Sequence, residues 1–460
     1  MTLAEFAVEQ GKTHGAGFVD ARLENTRSRS FILKNGIPEL GSLDERKGIG
    51  IRLIIDGRQG FCSTNNLTKK ALTRLIRRAA STARHSGKTS LAKAQPVKRK
   101  MHIKQKQKLF SVSPEENLSY LAELDSVAKG LPLRYFSFFM SQTDTVYASS
   151  EGAHIESSKP YVGLHTVFTV GKKVTMQRHM EKVSIGGYEN VKKWCFHEAL
   201  AGEICALTKN IEKGTPCPKG NIDVVASPEV VGIIVHESGG HPYEADRILG
   251  REAAQAGESF ITLNMRGKAI GNSMVDVVDD PTVRNSAGYY QYDDEGVKAR
   301  RKYLMKAGRI NEFLHSRETA GSLGIRSNGS ARASAYNREP IPRMSNTFML
   351  PGTHKFDELL DGIKKGVFIK SFMEWNIDDR RVHQKYVGNE AYLIEDGEIT
   401  VPVRQPVLEL STHTLYRSID AISDKVELFA GTCGKGEPMQ GMPVTMGGPS
   451  IRLRKIRVGR

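Results

Sequence analysis

Apolar positions along the chain follow two alternating periods, and the alternation repeats. Residues 2–15 place Leu3, Phe6 and Ala7 on one side of a helix, and Asn66 to Arg84 does the same with Leu67, Ala71, Leu75 and Ala79. Between them, stretches from Phe18 to Glu24, Arg27 to Lys34, Gly48 to Asp56 and Gly57 to Ser63 read as strands, with turns at Lys34-Asn35-Gly36 and Asp56-Gly57. Ser113-Pro114-Glu115-Glu116 then opens a helix to Lys129-Gly130, whose apolar side is Leu118, Leu121, Leu124 and Val127. Strands are expected around Leu133 to Met140, Thr145 to Ser149, Tyr161 to Val170 and Val174 to Val183, and a helix from Val191 to Asn210 closes the unit. Both regions share one plan of helix, antiparallel meander and helix, without a strong residue-level repeat.

Gly87 to Phe110 has little apolar periodicity and reads as a linker, and Gly214-Thr215-Pro216-Cys217-Pro218 as a rigid joint. The strand Ile222 to Ala226 follows. From Phe260 onward the chain is β-rich, with strands expected at Ser273 to Val278, Lys302 to Met305, Arg309 to Leu314, Phe348 to Leu350, Glu390 to Glu395, Glu398 to Pro402, Pro406 to Ser411 and Val426 to Phe429. Asp396-Gly397 makes a hairpin turn, and one helix, Phe356 to Lys365, interrupts the strands. This is an α+β chain with antiparallel sheets, divided as residues 1–110, 111–218 and a larger β-rich unit 219–460 that carries the helix before the most unusual motif.

Composition narrows the class. No apolar run approaches the ~18 residues of a membrane helix, and the start lacks a basic region followed by an apolar core, so a cytoplasmic protein with no membrane association is expected. Five cysteines (Cys62, Cys195, Cys205, Cys217, Cys433) form no CxxC pair and read as reduced thiols. The net charge is +16, yet Lys69 to Lys108 alone holds fourteen Lys or Arg and no Asp or Glu. Such a block suits phosphate or carboxylate contacts. With no aromatic residue between Cys62 and Phe110 it offers no base-stacking platform. A solvated helix face with a basic linker is the preferred reading, and nucleic acid is not the expected partner. The alternative is a nucleic-acid-binding or scaffolding protein that uses residues 69–108 and carries a structural metal.

The chemistry concentrates in His236-Glu237-Ser238-Gly239-Gly240-His241, directly after the apolar Val230-Val231-Gly232-Ile233-Ile234-Val235. Imidazoles bind a borderline metal such as Zn2+, and an unliganded glutamate beside them can take a proton from water. The spacing is unusual: at about 100° per residue, positions i and i+5 point roughly 140° apart on a regular helix. Ser227-Pro228-Glu229 reads as the helix start. Gly239 and Gly240 are expected to loosen the helix after His236, and Pro242 to bias His241 out of the α region so that it swings back.

A catalytic zinc site wants three protein ligands and an open position. Glu237 suits the general-base role better than ligation. The third ligand is open between Cys433, a distant carboxylate, and a histidine such as His315 or His413. Cys433 sits in the glycine-rich Ala430-Gly431-Thr432-Cys433-Gly434-Lys435-Gly436, where Lys435 would favour a thiolate.

These phrases together resemble the TldD/PmbA family of metallopeptidases, whose members were once described as modulators of DNA gyrase. The resemblance covers most of the chain. It includes the HExxxH motif His236 to His241, Gly48-Ile49-Gly50-Ile51-Arg52, Gly60 to Asn65, Tyr292-Asp293-Asp294-Glu295-Gly296, Pro342 to Thr347, Glu390 to Ile394, Cys433-Gly434-Lys435 and Gly447-Gly448-Pro449. It implies a zinc-dependent peptidase acting on unfolded peptides, one zinc per active chain, with His236, His241 and Cys433 as metal ligands and Glu237 as the catalytic glutamate. It further implies a TldD-type subunit working as a homodimer or as a heterodimer with a PmbA-type (TldE) subunit that lacks the motif. Asp293, Asp294, Arg343 and Asn346 are candidates for orienting substrate or ligands.

Overall fold

The computed structural model describes residues 1–252 and 257–459. The first half of the chain is built on one seven-stranded sheet. Its core strands are β1 (Phe18–Lys34), β2 (Ile37–Ile55) and β3 (Arg58–Thr64), then β4 (Lys98–His102), β5 (Leu133–Ser149), β6 (His154–Val170) and β7 (Met176–Ile185). The order is β3-β2-β1-β5-β6-β4, with β7 also on β6. Asn35 and Gly36 both take positive φ (49° and 79°), as do Asp56 and Gly57 (50° and 70°), which is what a tight two-residue hairpin with right-handed strand twist demands. β1 pairs with β5 from Asp20–Ser149 to Lys34–Tyr135, so strands on both sides of residue 110 belong to one sheet.

Several elements differ from the sequence expectation. β1 is one continuous strand where two were expected. β2 begins at Ile37 rather than Gly48, because its first half is exposed on both faces and shows no alternation to read. The segment Gly87 to Phe110, expected as linker, contributes the edge strand β4, which runs parallel to His154–Ser158. The expected helix Val191 to Asn210 is two helices, Glu189–Lys193 and Phe196–Lys213, broken where Cys195 takes φ 46°.

The sheet has two different faces. On one, Val19, Ile49, Ile51 and Leu53 pack beneath helices Leu3–Thr13 and Lys69–Ala83, and Phe31, Phe138, Leu164 and Phe168 pack beneath Pro114–Val127 and Phe196–Lys213. The other face carries Asp20, Arg22 and Glu24 and meets the C-terminal unit. Here Gly48 and Gly50 are required for close approach: a Cβ at Gly48 would lie 2.1 Å from the Tyr336 ring, and one at Gly50 2.0 Å from the Tyr336 carbonyl oxygen. Arg52 joins Asp20 (2.6 Å) to Glu295 (2.5 Å), and Tyr147 donates to the Glu295 carbonyl at 2.9 Å. The Gly48-Ile49-Gly50-Ile51-Arg52 and Tyr292 to Gly296 phrases are thus two sides of one interface.

The C-terminal unit stacks a ten-stranded sheet against a six-stranded one. Val224, Leu408 and Leu453 of the first and Val277, Leu304, Met349 and Val444 of the second share one core with the helix Pro228–Ile234. Gly232 permits the contact, since its Cβ would stand 3.0 Å from the Gly447 backbone nitrogen. The Asp396-Gly397 hairpin forms as expected, at φ 45° and 84°. The expected helix Phe356 to Lys365 does not: a single turn at Asp357–Leu359 is followed by the buried strand Lys365–Ile369. Strands Phe372–Ile377, His383–Gly388, Gln440–Gly448 and Ile451–Val458 were not expected. The chain is α+β, and no helix among the described residues is long and apolar enough to cross a membrane.

Candidate metal centre

The helix that leads into the site is well anchored. Ser227 accepts from the Val230 N–H, Pro228 occupies the first turn, and Glu229 near the positive end is gripped by Arg178 at 2.6 and 2.7 Å. After Ile234 the regular α-helix widens into a π turn over Val235–Gly240, followed by a 3-10 turn His241–Tyr243. The His241 N–H donates to the His236 carbonyl, an i to i+5 bond that takes up the extra residue of the motif. The two imidazoles therefore come together, ring centroids 4.9 Å apart at 80°.

This corrects one expectation. His241 does not leave the helical region at Pro242 but stays at φ −52°, ψ −42°, because Pro242 falls in the first positions of the next turn, where a missing N–H costs nothing. Gly239 and Gly240 lie in the widened turn as expected, and they carry a second constraint. Cβ atoms there would lie 2.6 Å from the Tyr416 hydroxyl and 2.0 Å from the Met344 sulfur, so both positions also require close packing.

Cys433 arrives on the edge strand Glu427–Lys435, antiparallel to Gln440–Gly448. Arg343, fully buried, donates to the carbonyls of Cys433 (2.5 Å) and Gln440 (2.8 Å) and so fixes that strand pair from behind. Cys433 Sγ lies 3.4 Å from His241 Nε2. The ligand atoms of His236, His241 and Cys433 all lie within 4.8 Å of one another, and all three residues are buried. Burial alone would raise the Cys433 thiol, but His241 beside it, by charge and hydrogen bond, and then Arg343 bring it below its ordinary value. Burial lowers His236, which favours the neutral imidazole a metal needs. His236 Nδ1 is buried with no hydrogen-bond partner among the described residues. Two imidazoles and a depressed thiol that converge without other partners between them suit a borderline cation.

Beneath His241, its Nδ1 meets Glu244 Oε2 at 3.0 Å, leaving Nε2 toward the sulfur. Glu244 also takes Arg247 Nε (3.1 Å) and Lys435 Nζ (3.2 Å). Burial opposes its charge, but Lys435 and then His241 hold its carboxyl well below the usual range. Lys435 does not face the thiol as expected from the sequence; it bonds Asp246 Oδ1 and the Pro342 carbonyl, each at 2.7 Å.

Glu237 is not among the three converging ligands and is 7% exposed. Trp375 Nε1 donates to its Oε1 at 3.2 Å, and Arg381 donates to its Oε2. Against burial, His241, His236 and Arg381 keep the carboxyl below its ordinary value, so it is an anion near neutrality.

The other sequence candidates lie elsewhere. His315 is buried against Thr319, and His413 packs on Phe260; neither joins the group. Asp293 and Asp294 accept backbone N–H bonds from Ala331 (3.1 Å) and Ala333 (2.8 Å), holding a loop rather than a ligand. Asn346 donates to the Asp280 carbonyl at 2.6 Å. Sequence reasoning missed Glu244, Trp375 and Arg381. The first had a local signal, a carboxylate three residues after His241. The other two lie far along the chain and had none.

Comparison with known proteins agrees with this geometry. The PmbA/TldA metallopeptidase C-terminal domain matches residues 219–460, and domain 1 of the same family matches residues 19–83. The chain is 29% identical over 95% of its length, and 95% of the relative's, to a protein from Methanocaldococcus jannaschii named Metalloprotease MJ0996. It is 26% identical to a zinc metalloprotease TldD homolog from Saccharolobus solfataricus, with 98% of each chain covered. The solved structure of TldE from Thermococcus kodakarensis shares the fold, with TM-score 0.75 over 100% of both chains at 16% identity. The chain belongs to the PmbA/TldD metallopeptidase family.

Proposed function

We propose that the protein is a zinc-dependent peptidase that hydrolyses peptide bonds in unfolded or extended segments, with Glu237 as general base. The observation that carries this reading is the convergence of two imidazoles and one thiol beside an ionised, unliganded carboxylate. His236, His241 and Cys433 would hold the ion, and three protein ligands leave a position open, as in catalytic rather than structural zinc sites. That count weighs against a structural metal in a nucleic-acid-binding protein. When bound, the ion supplies Lewis acidity, polarising the scissile carbonyl and easing deprotonation of water.

The remaining steps fall to the chain's own residues. Glu237 takes the proton of the attacking water and delivers it to the leaving amine. Trp375 and Arg381, one on each carboxylate oxygen, hold Glu237 in its orientation. Glu244 keeps His241 in the tautomer that presents Nε2. Each large sheet ends in an edge strand beside the site, Glu427–Lys435 with Cys433 and Phe372–Ile377 with Trp375. An extended peptide adding to such an edge is read through its backbone more than its side chains, which restricts cleavage to unfolded segments. The working unit in this reading is a dimer, of two such chains or with a PmbA-type subunit. Activity of the chain alone against activity after mixing separates these.

Glu237→Gln is the test. It is expected to retain the metal and lower kcat on an unfolded peptide by ~10²-fold or more. Undiminished cleavage would remove Glu237 from the mechanism.

A further inference from the structure

The inner face of the N-terminal sheet does not close completely on the C-terminal unit. Between Ser and Thr side chains of β1, β5 and β6 and the loops Tyr289–Asp294 and Arg332–Asn337 a cleft of about 540 Å³ remains. It ends at Thr432 and Gly441–Pro443, on the strand pair that carries Cys433. One end of the cleft is thus lined by Thr432, the residue before Cys433 on the same strand.

Six charged side chains line it: Glu24, Arg46, Lys159, Asp293, Asp294 and Arg332. Five are satisfied by the protein itself. Glu24 takes Arg22 Nε at 2.6 Å, and Arg46 lies 3.3 Å from Asp44. Asp293 and Asp294 accept backbone N–H groups, and Arg332 donates to the carbonyls of Met344 (2.8 Å) and Pro443 (2.9 Å). Lys159 is the exception. Its ammonium makes no ion pair and no hydrogen bond among the described residues, although it is half-buried in the wall of the cleft and has Tyr161 two residues along the same strand face. Burial, and then the charge of Arg332, push this amine down to about 7 against the opposing charge of Asp294, a direction that a further negative group would reverse. A cation held in an enclosed place without a direct ion pair or hydrogen bond is costly unless something completes it.

We propose that Lys159 is a specificity-determining residue whose ammonium receives a carboxylate of the peptide substrate bound in this cleft. The inference rests on the peptidase reading above and adds the substrate class: peptides carrying a free carboxylate at a fixed distance from the scissile bond. That carboxylate belongs to the peptide's C-terminus or to an acidic side chain, and both offer the same chemistry to the amine.

The test uses full-length Glu237→Gln protein, so that binding is read without turnover, and three fluorescent peptides of one sequence. One ends in an amide and has no acidic residue, one has a free C-terminus, and one has an amide end with an internal Glu. Lys159→Met is expected to weaken the carboxylate peptide that the cleft selects by ~10-fold or more, to leave the neutral peptide within about twofold, and to be rescued by Lys159→Arg. Whichever carboxylate peptide responds identifies the source. Equal effects on all three peptides, or none on any, would overturn the proposal, provided thermal unfolding shows the variants folded. In parallel, the chain with Glu237 intact is tested for cleavage. Lys159-dependent binding without any cleavage would defeat the peptidase reading while leaving the carboxylate site standing.

Discussion

Two histidine pairs in this molecule look alike at first sight. His236 and His241 stand with ring centroids 4.9 Å apart, His165 and His179 with centroids 5.7 Å apart, and each pair has a glutamate beside it, Glu237 in one case and Glu181 opposite His165 in the other. Burial lowers His165 and His179 just as it lowers His236. Only the first pair belongs, among the described residues, to a group whose geometry could hold a metal ion. The difference lies in what surrounds them. His165 and His179 sit on adjacent strands, and among the described residues no third ligand atom converges with them, whereas the π turn aims His236 and His241 at a thiol whose strand is pinned by Arg343. Glu244 orients one ring from behind, and Lys435 anchors Glu244 in turn. Proximity of imidazoles does not make a metal site; a converging soft ligand and an orienting carboxylate do.

That contrast can be broken most severely at Glu244. Glu244→Gln removes the anion that orients His241 and leaves Lys435 with one fewer counter-charge in a fully buried place. Metal affinity is expected to fall ~10- to 100-fold, and stability by about 3 kcal/mol. Chelator competition and denaturant unfolding measure the two, and an unchanged affinity would dissociate Glu244 from the site.

A third buried histidine sharpens the point. His315 is pushed down to about 4 by burial and belongs to no candidate metal group among the described residues. An unfolded histidine titrates near 6.5. Between about 6.5 and about 4 the unfolded chain therefore takes a proton that the folded chain refuses, and stability falls as pH falls across that window, by roughly 3 kcal/mol in total. His315→Gln is expected to flatten this part of the curve in metal-free protein, measured as unfolding free energy against pH. A slope unchanged by the substitution would mean that His315 is not buried as a neutral ring.

The smallest effect is expected from the look-alike pair. The double variant His165→Ala with His179→Ala should keep the metal content and the cleavage rate of the parent within about twofold. Loss of metal there would erase the distinction between the two pairs.

Much of the site was legible along the chain because its signals are local. Ser227-Pro228-Glu229 caps the helix as read, and the Asn35-Gly36, Asp56-Gly57 and Asp396-Gly397 turns form, whereas Cys433, 192 residues from His241, was singled out only by the family resemblance. What was misread depended on partners that a linear pattern does not reveal. The i to i+5 spacing announced an irregularity but not whether the chain would leave the helix or widen it; the packing of Tyr416 and Met344 against Gly239 and Gly240 accompanies the second solution. Trp375 and Arg381 sit on a hairpin whose first strand is largely exposed, so neither alternation nor spacing marked them. The same holds for the first half of β2, where solvent on both faces erased the period that defines a strand.

The central claim is that His236, His241 and Cys433 hold one catalytic zinc per chain. X-ray absorption at the metal edge, on purified protein and on Cys433→Ser, tests it most directly. The parent is expected to contain one ion per chain with a sulfur scatterer at about 2.3 Å beside nitrogen ligands at about 2.0–2.1 Å, and the variant to lose both the sulfur signal and most of its metal. A full complement of metal in Cys433→Ser, or no sulfur around the ion in the parent, would contradict it.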